Sequence, residues 1–171
     1  FKEALQIRQE ILGKKHPLCA ISLNDLARMY HKKGLYQKAE PLFQEALQIR
    51  KEALGEKHPR YAISLDGLAE LYKEQGEYGK ADPLYHESIQ NKLNQIEILL
   101  PNFSEFDRKQ YLQSISYFFE DFYTFSAKYA PEKPNIAGDL FDLRLKIKGL
   151  LFQSFQKMQK QILAKIGRAH V

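Results

Sequence analysis

Apolar residues recur through the first half of the chain at the spacing of one side of a helix. Leu23, Leu26, Ala27 and Tyr30 fall at i, i+3, i+4 and i+7, and Leu65, Leu68, Ala69 and Tyr72 repeat the pattern. His16-Pro17 and His58-Pro59 place a proline where a first helical turn tolerates it, and Gly34 and Gly76 close the same helices. A second helix then carries Ala39, Phe43 and Ala46, echoed by Ala81, Tyr85 and Ser88. Gly13 and Gly55 stand where a left-handed residue ends such a helix. The pattern predicts an all-α chain built from helix–turn–helix units.

Those units are copies of one another. Residues 1–42 and 43–84 align without a gap and match at 26 of 42 positions. A fixed period of this size marks a stacked array whose units cannot bury their apolar faces alone. Phe1 and Ala4 align with Phe43 and Ala46, so the chain is expected to open on the second helix of a unit.

After Gln90 the repeat dissolves. Asn91 to Leu100 should prolong a helix that Pro101-Asn102 breaks, and Ser104 with Asp107 forms a capping box with Asp in place of the usual Glu. The next helix sets Leu112, Ile115, Phe118, Phe119, Phe122 and Tyr129 on one stripe. Beyond a turn at Pro131–Asn135, a long helix from about Ile136 to Ala164 aligns Leu140, Leu143, Ile147, Leu150, Phe155, Met158 and Ile162.

Composition narrows the function. One cysteine excludes an internal disulfide framework and suits a reducing compartment, and no run approaches the length of apolar chain that crosses a membrane. With no signal segment in view, a cytoplasmic protein is the default expectation. The net charge of +5 is uneven: residues 142–171 hold seven Lys/Arg against Asp142, and the remainder is close to neutral.

No constellation of residues suggests catalysis. Cys19 is the one thiol, and the second copy places Tyr61 at its position, so the slot reads as packing. His16 and His58 have no second ligand at metal spacing, and His86-Glu87 starts an HExxH motif that Gln90 leaves open. Phosphate-binding glycine loops are absent, so neither metal nor cofactor is expected. Ten of the 21 Phe/Tyr residues lie in 103–129, but on a helical stripe with few basic neighbours, which reads as core rather than base stacking. The basic C-terminal helix has the alternation of a solvated face, and nucleic-acid binding through it is the weakest alternative.

The two copies disagree on the other side of the first helix. Ile21, Asn24, Arg28 and His31 lie at spacings of three, four and three, on one helical face; their counterparts are Ile63, Asp66, Glu70 and Lys73. Leu26-Ala27-x-x-Tyr30 followed by Ala39-x-x-x-Phe43-x-x-Ala46 resembles the tetratricopeptide repeat (TPR) signature. The 42-residue period and the words LGEKHP, AISLDGLAELY and YGKADPLY resemble the longer kinesin-light-chain type. That resemblance implies a solenoid whose concave groove, lined by these eight residues, holds a protein or peptide ligand. Asn24 aligns with groove asparagines that hold peptide backbone in such repeats, a role suited to a group that both donates and accepts. Asp66 departs from the pattern, since an ionised carboxylate only accepts.

LNQIEILLPNFSEFDRKQYL and DLFDLRLKIKGLLFQSFQKMQKQIL resemble the segment that joins TPR arrays to the CHAT peptidase domain, a caspase-like fold. The resemblance implies TPR repeats over 1–98, the first one truncated, a linking helical segment over 99–165, and a CHAT domain in cis that this chain lacks. Residues 166–171 are similar to a translated sequencing adapter. The expected function is a non-enzymatic protein–protein interaction scaffold that regulates a peptidase. The alternative is a pure kinesin-light-chain-like adaptor.

Overall fold

The computed structural model describes residues 2–130, 132, 133, 136, 138, 139, 142, 143, 145–149, 152 and 156, the side chain of Ile115 excepted. Up to residue 130 the helices are α1 (Lys2–Leu12), α2 (Pro17–Lys32), α3 (Tyr36–Leu54), α4 (Pro59–Glu74), α5 (Tyr78–Leu99) and α6 (Glu105–Tyr129), with a 3-10 turn at Leu100–Asn102 before α6. No strand occurs among the described residues, so the fold is all-α. The chain divides within α5 into two compact units, Phe1–Lys92 and Leu93–Val171.

In the first unit the repeat sets the helix ends. Pro17 and Pro59 open α2 and α4, and the residue before each proline is the cap: Nδ1 of His16 accepts from the Leu18 N–H at 3.2 Å and that of His58 from Arg60 at 3.1 Å. This use of the two histidines was not foreseen; it arises because a proline at the first helical position fixes the entry of the chain. At the other end Gly34 and Gly76 take φ of 71° and 76°, and Leu35 and Glu77 return their N–H groups to the carbonyls of Tyr30 and Tyr72, both at 2.9 Å. That six-to-one bond needs a left-handed residue in between, a conformation glycine adopts without strain.

Neighbouring helices pack in sequence, α1 on α2, α2 on α3 and α3 on α4, and α2 also touches α4. The stripe drawn from the sequence is the core: Leu23, Ala27, Ala39, Phe43, Ala46, Leu65, Ala69, Ala81 and Tyr85 are all buried. Burial of a side chain the size of Phe43 contributes about 2–3 kcal/mol. Ile7 of α1 is 54% exposed whereas Ile49, its counterpart in α3, is 5% exposed. The difference follows from neighbours, since α3 lies between α2 and α4. Cys19 is fully buried and donates its thiol to the Gly13 carbonyl at 3.3 Å, in keeping with a packing role.

In the second unit Ser104 caps α6 by accepting from the Asp107 N–H at 3.2 Å, while its hydroxyl donates to the Asp107 carboxylate at 2.6 Å. Arg108 Nη2 donates to the Leu100 carbonyl at 3.2 Å, tying the 3-10 turn to the start of α6. Phe118, Phe119 and Phe122 of the stripe are buried and Leu112 and Tyr129 half-buried; Phe125, outside the expected stripe, is also buried, and burial raises the pKa of Tyr111. The described residues from 136 to 149, with 152 and 156, are helical, and Leu143 is buried. Leu140, Leu150, Phe155, Met158 and Ile162, five of the seven basic residues after 141, and residues 166–171 lie outside the described residues.

Candidate functional site

The eight residues singled out by the sequence fall on α2 and α4, which touch within the first unit. Their exposure is not uniform. Arg28 and Ile63 are exposed, Ile21, Asp66, Glu70 and Lys73 are half-buried, and Asn24 and His31 are buried. Polar groups in this row are therefore partly enclosed by their neighbours, and each enclosed one is either paired or carries a desolvation penalty.

Asp66 is paired. Lys92 Nζ donates to its two carboxylate oxygens at 2.9 and 2.7 Å, and the Ser88 hydroxyl donates to Oδ1. Burial lowers the Lys92 pKa, and the neighbouring Asp66 carboxylate opposes that shift. His31 lies close to Glu74: its buried Nε2 is 2.9 Å from Glu74 Oε2 without making a hydrogen bond, and the Tyr36 hydroxyl donates to the same oxygen at 3.2 Å. The His31 ring packs against Tyr36 and Phe43, with centroids at 5.6 and 6.5 Å. This links the end of α2 to the end of α4.

Asn24 is different. It is 3% exposed, its Oδ1 is buried without a partner, and its side chain makes no hydrogen bond. A buried unpaired amide oxygen is unfavourable by about 1–3 kcal/mol.

The repeat explains why. Asp66 draws on Ser88 and Lys92; the positions matching them in the first copy are Ala46 and Arg50. Ala46 has no hydroxyl. Arg50 is directed to the next helix pair, where Nη1 donates to Ser64 Oγ at 2.7 Å and to the Arg60 carbonyl at 3.0 Å. Burial and the nearby Arg60 push the Arg50 guanidinium down to about 10, partly offset by Asp25.

The same clasp joins α1 to α2: Arg8 Nη1 donates to Ser22 Oγ at 2.5 Å and to the Leu18 carbonyl at 3.4 Å. Lys92, which follows Arg8 and Arg50 at the same 42-residue period, donates instead to Asp66. The Arg–Ser clasp was missed at the sequence level. Its signal was present, since Arg8 and Arg50, and Ser22 and Ser64, are identical between copies and fourteen residues apart.

A family model described as tetratricopeptide repeat matches residues 1–52 and 26–94, which together span more than half of the chain. The chain belongs to the tetratricopeptide repeat family. No curated protein matches it. Tetratricopeptide repeats generally mediate protein–protein interaction, and an all-helical repeat of this kind is typically non-enzymatic. Among the described residues no cluster of three or more His, Cys, Asp or Glu could hold a metal ion, and no helix is long and apolar enough to cross a membrane. His86 lies with Nδ1 2.9 Å from the Asp82 carbonyl, a contact within its own helix turn.

Proposed function

We propose that the α2–α4 face of this tetratricopeptide array holds a peptide segment of a partner protein. The face comprises Ile21, Asn24, Arg28 and His31 with Ile63, Asp66, Glu70 and Lys73. The observation that carries the reading is the orphaned Asn24 amide. The helix pair gives this amide oxygen no partner. An amide can donate to and accept from a peptide backbone, which a protein partner supplies.

Asn24→Leu separates binding from folding. Short random peptides are selected on the full chain, and the selected peptide is titrated against both proteins by fluorescence anisotropy. The variant should melt no lower than the parent and bind at least several-fold more weakly. Equal binding by both proteins removes Asn24 from the site and the reading with it.

The wider reading rests on the resemblance of residues 93–163 to the segment that precedes CHAT peptidases. In it, residues 1–98 form the array, 99–165 the linking helices, and partner binding controls a cysteine peptidase in a longer protein. Sequence beyond Ala164 tests it. Separated His and Cys motifs in a caspase-like segment support it, and a stop codon or further repeats leave a kinesin-light-chain-like adaptor.

A further inference from the structure

Arg28 and Glu70 occupy the same position of adjacent repeats and carry opposite charges. Arg28 is exposed and Glu70 half-buried, and neither makes a hydrogen bond or an ion pair. Of the charges around them, Asp66 is held by Lys92 and His31 lies against Glu74, while Asp25, half-buried three residues before Arg28, makes no hydrogen bond or ion pair. Lys73 has an interaction of its own, and Lys32, exposed one turn after Arg28, adds to the positive side. At this pair of equivalent positions the face thus presents a positive charge on α2 and a negative one on α4.

Geometry limits what can meet both charges. Packed helices lie about 8–10 Å apart, so a ligand running along one helix reaches only one of them. A chain crossing the two helices advances about 3.1 Å per residue in the polyproline II form and returns to the same side every third residue. Three residues therefore span the distance between equivalent positions with both side chains facing the helices. The backbone of that form has no internal hydrogen bonds, which leaves its polar groups available to Asn24.

We propose that the partner segment is an extended stretch carrying an acidic and a basic residue three positions apart, the acid over Arg28 and the base over Glu70. This rests on the α2–α4 face being the ligand site.

The test uses displayed peptides with random flanks around three fixed cores, Asp-x-x-Lys, Lys-x-x-Asp and Gln-x-x-Gln, selected on the full chain and on the double variant Arg28→Glu/Glu70→Arg. Neither position makes a hydrogen bond or an ion pair, so the exchange should leave the melting curve in place, which circular dichroism checks. The parent should enrich one charged core about ten-fold over the neutral core, the factor that two exposed ion pairs supply. The exchanged protein should enrich the opposite order. If both proteins enrich the same peptides and Asn24→Leu abolishes that binding, the charge rule is wrong and the ligand face stands. If nothing is enriched in an Asn24-dependent way, both are wrong.

Discussion

Arg50 of α3 donates to the Ser64 hydroxyl of α4 at 2.7 Å, and this bond joins one tetratricopeptide repeat to the next. Arg50 Nη1 is directed across the boundary, and the Asn24 Oδ1 of its own repeat is left without a partner. The same array thus holds one buried bond between repeats and one buried amide oxygen without a partner on the proposed ligand face.

Arg50→Met should lower stability by about 1–3 kcal/mol, because Ser64 and the Arg60 carbonyl lose their donor in a buried place. Ser64→Ala should be milder, about 1 kcal/mol, since the Arg60 carbonyl keeps its bond. Urea unfolding followed by circular dichroism gives both values. Equal, negligible losses would mean that the clasp adds nothing to the helix packing.

Gly67→Ala should destabilise the first unit by about 1–3 kcal/mol through overpacking. A Cβ there would lie 2.5 Å from Cε1 of Phe43, a ring that is fully buried and has no room to withdraw. Combined with Phe43→Leu, the loss should be smaller than the sum of the two single losses. Simple additivity in the double-mutant cycle would show that the two residues do not meet.

Lys92→Met should be unfavourable by about 1–3 kcal/mol, because Asp66 keeps its charge and loses the ammonium that faces both of its oxygens. Adding Asp66→Asn should restore part of the loss by removing the unpaired charge. Thermal melts of the single and double variants decide it; a double variant no better than Lys92→Met would rule out a charge effect.

Alkaline pH should unfold the chain progressively. Burial, and then hydrogen bonds to Glu87 and Glu40, raise the pKa of Tyr61 and Tyr72 above the ordinary 10.0. The unfolded chain therefore ionises first, and stability present below pH 10.0 falls as pH rises toward the folded values. Replacing Tyr61 and Tyr72 with Phe should flatten that fall. An unchanged slope in melting temperature against pH would assign alkaline unfolding to other groups.

The helices, their order and their core were legible in the sequence because they depend on short-range rules. Period, apolar stripe, proline entry and glycine exit each act within a few residues of chain, and a duplicated unit states them twice. The row from Ile21 to Lys73 was legible as a row for the same reason. Its burial was not, since a helical wheel does not say how far a neighbouring helix reaches over Asn24 and His31.

What the sequence by itself determined is thus an all-α repeat with Leu23, Phe43, Leu65 and Tyr85 inside. Only the tertiary structure decided which polar groups answer one another: Arg50 to Ser64, Lys92 to Asp66, and nothing to the Asn24 Oδ1. A hydrogen bond holds only over a narrow range of distance and angle, and its two ends here come from different helices. Their pairing is fixed by how those helices pack, which no single stretch of chain contains.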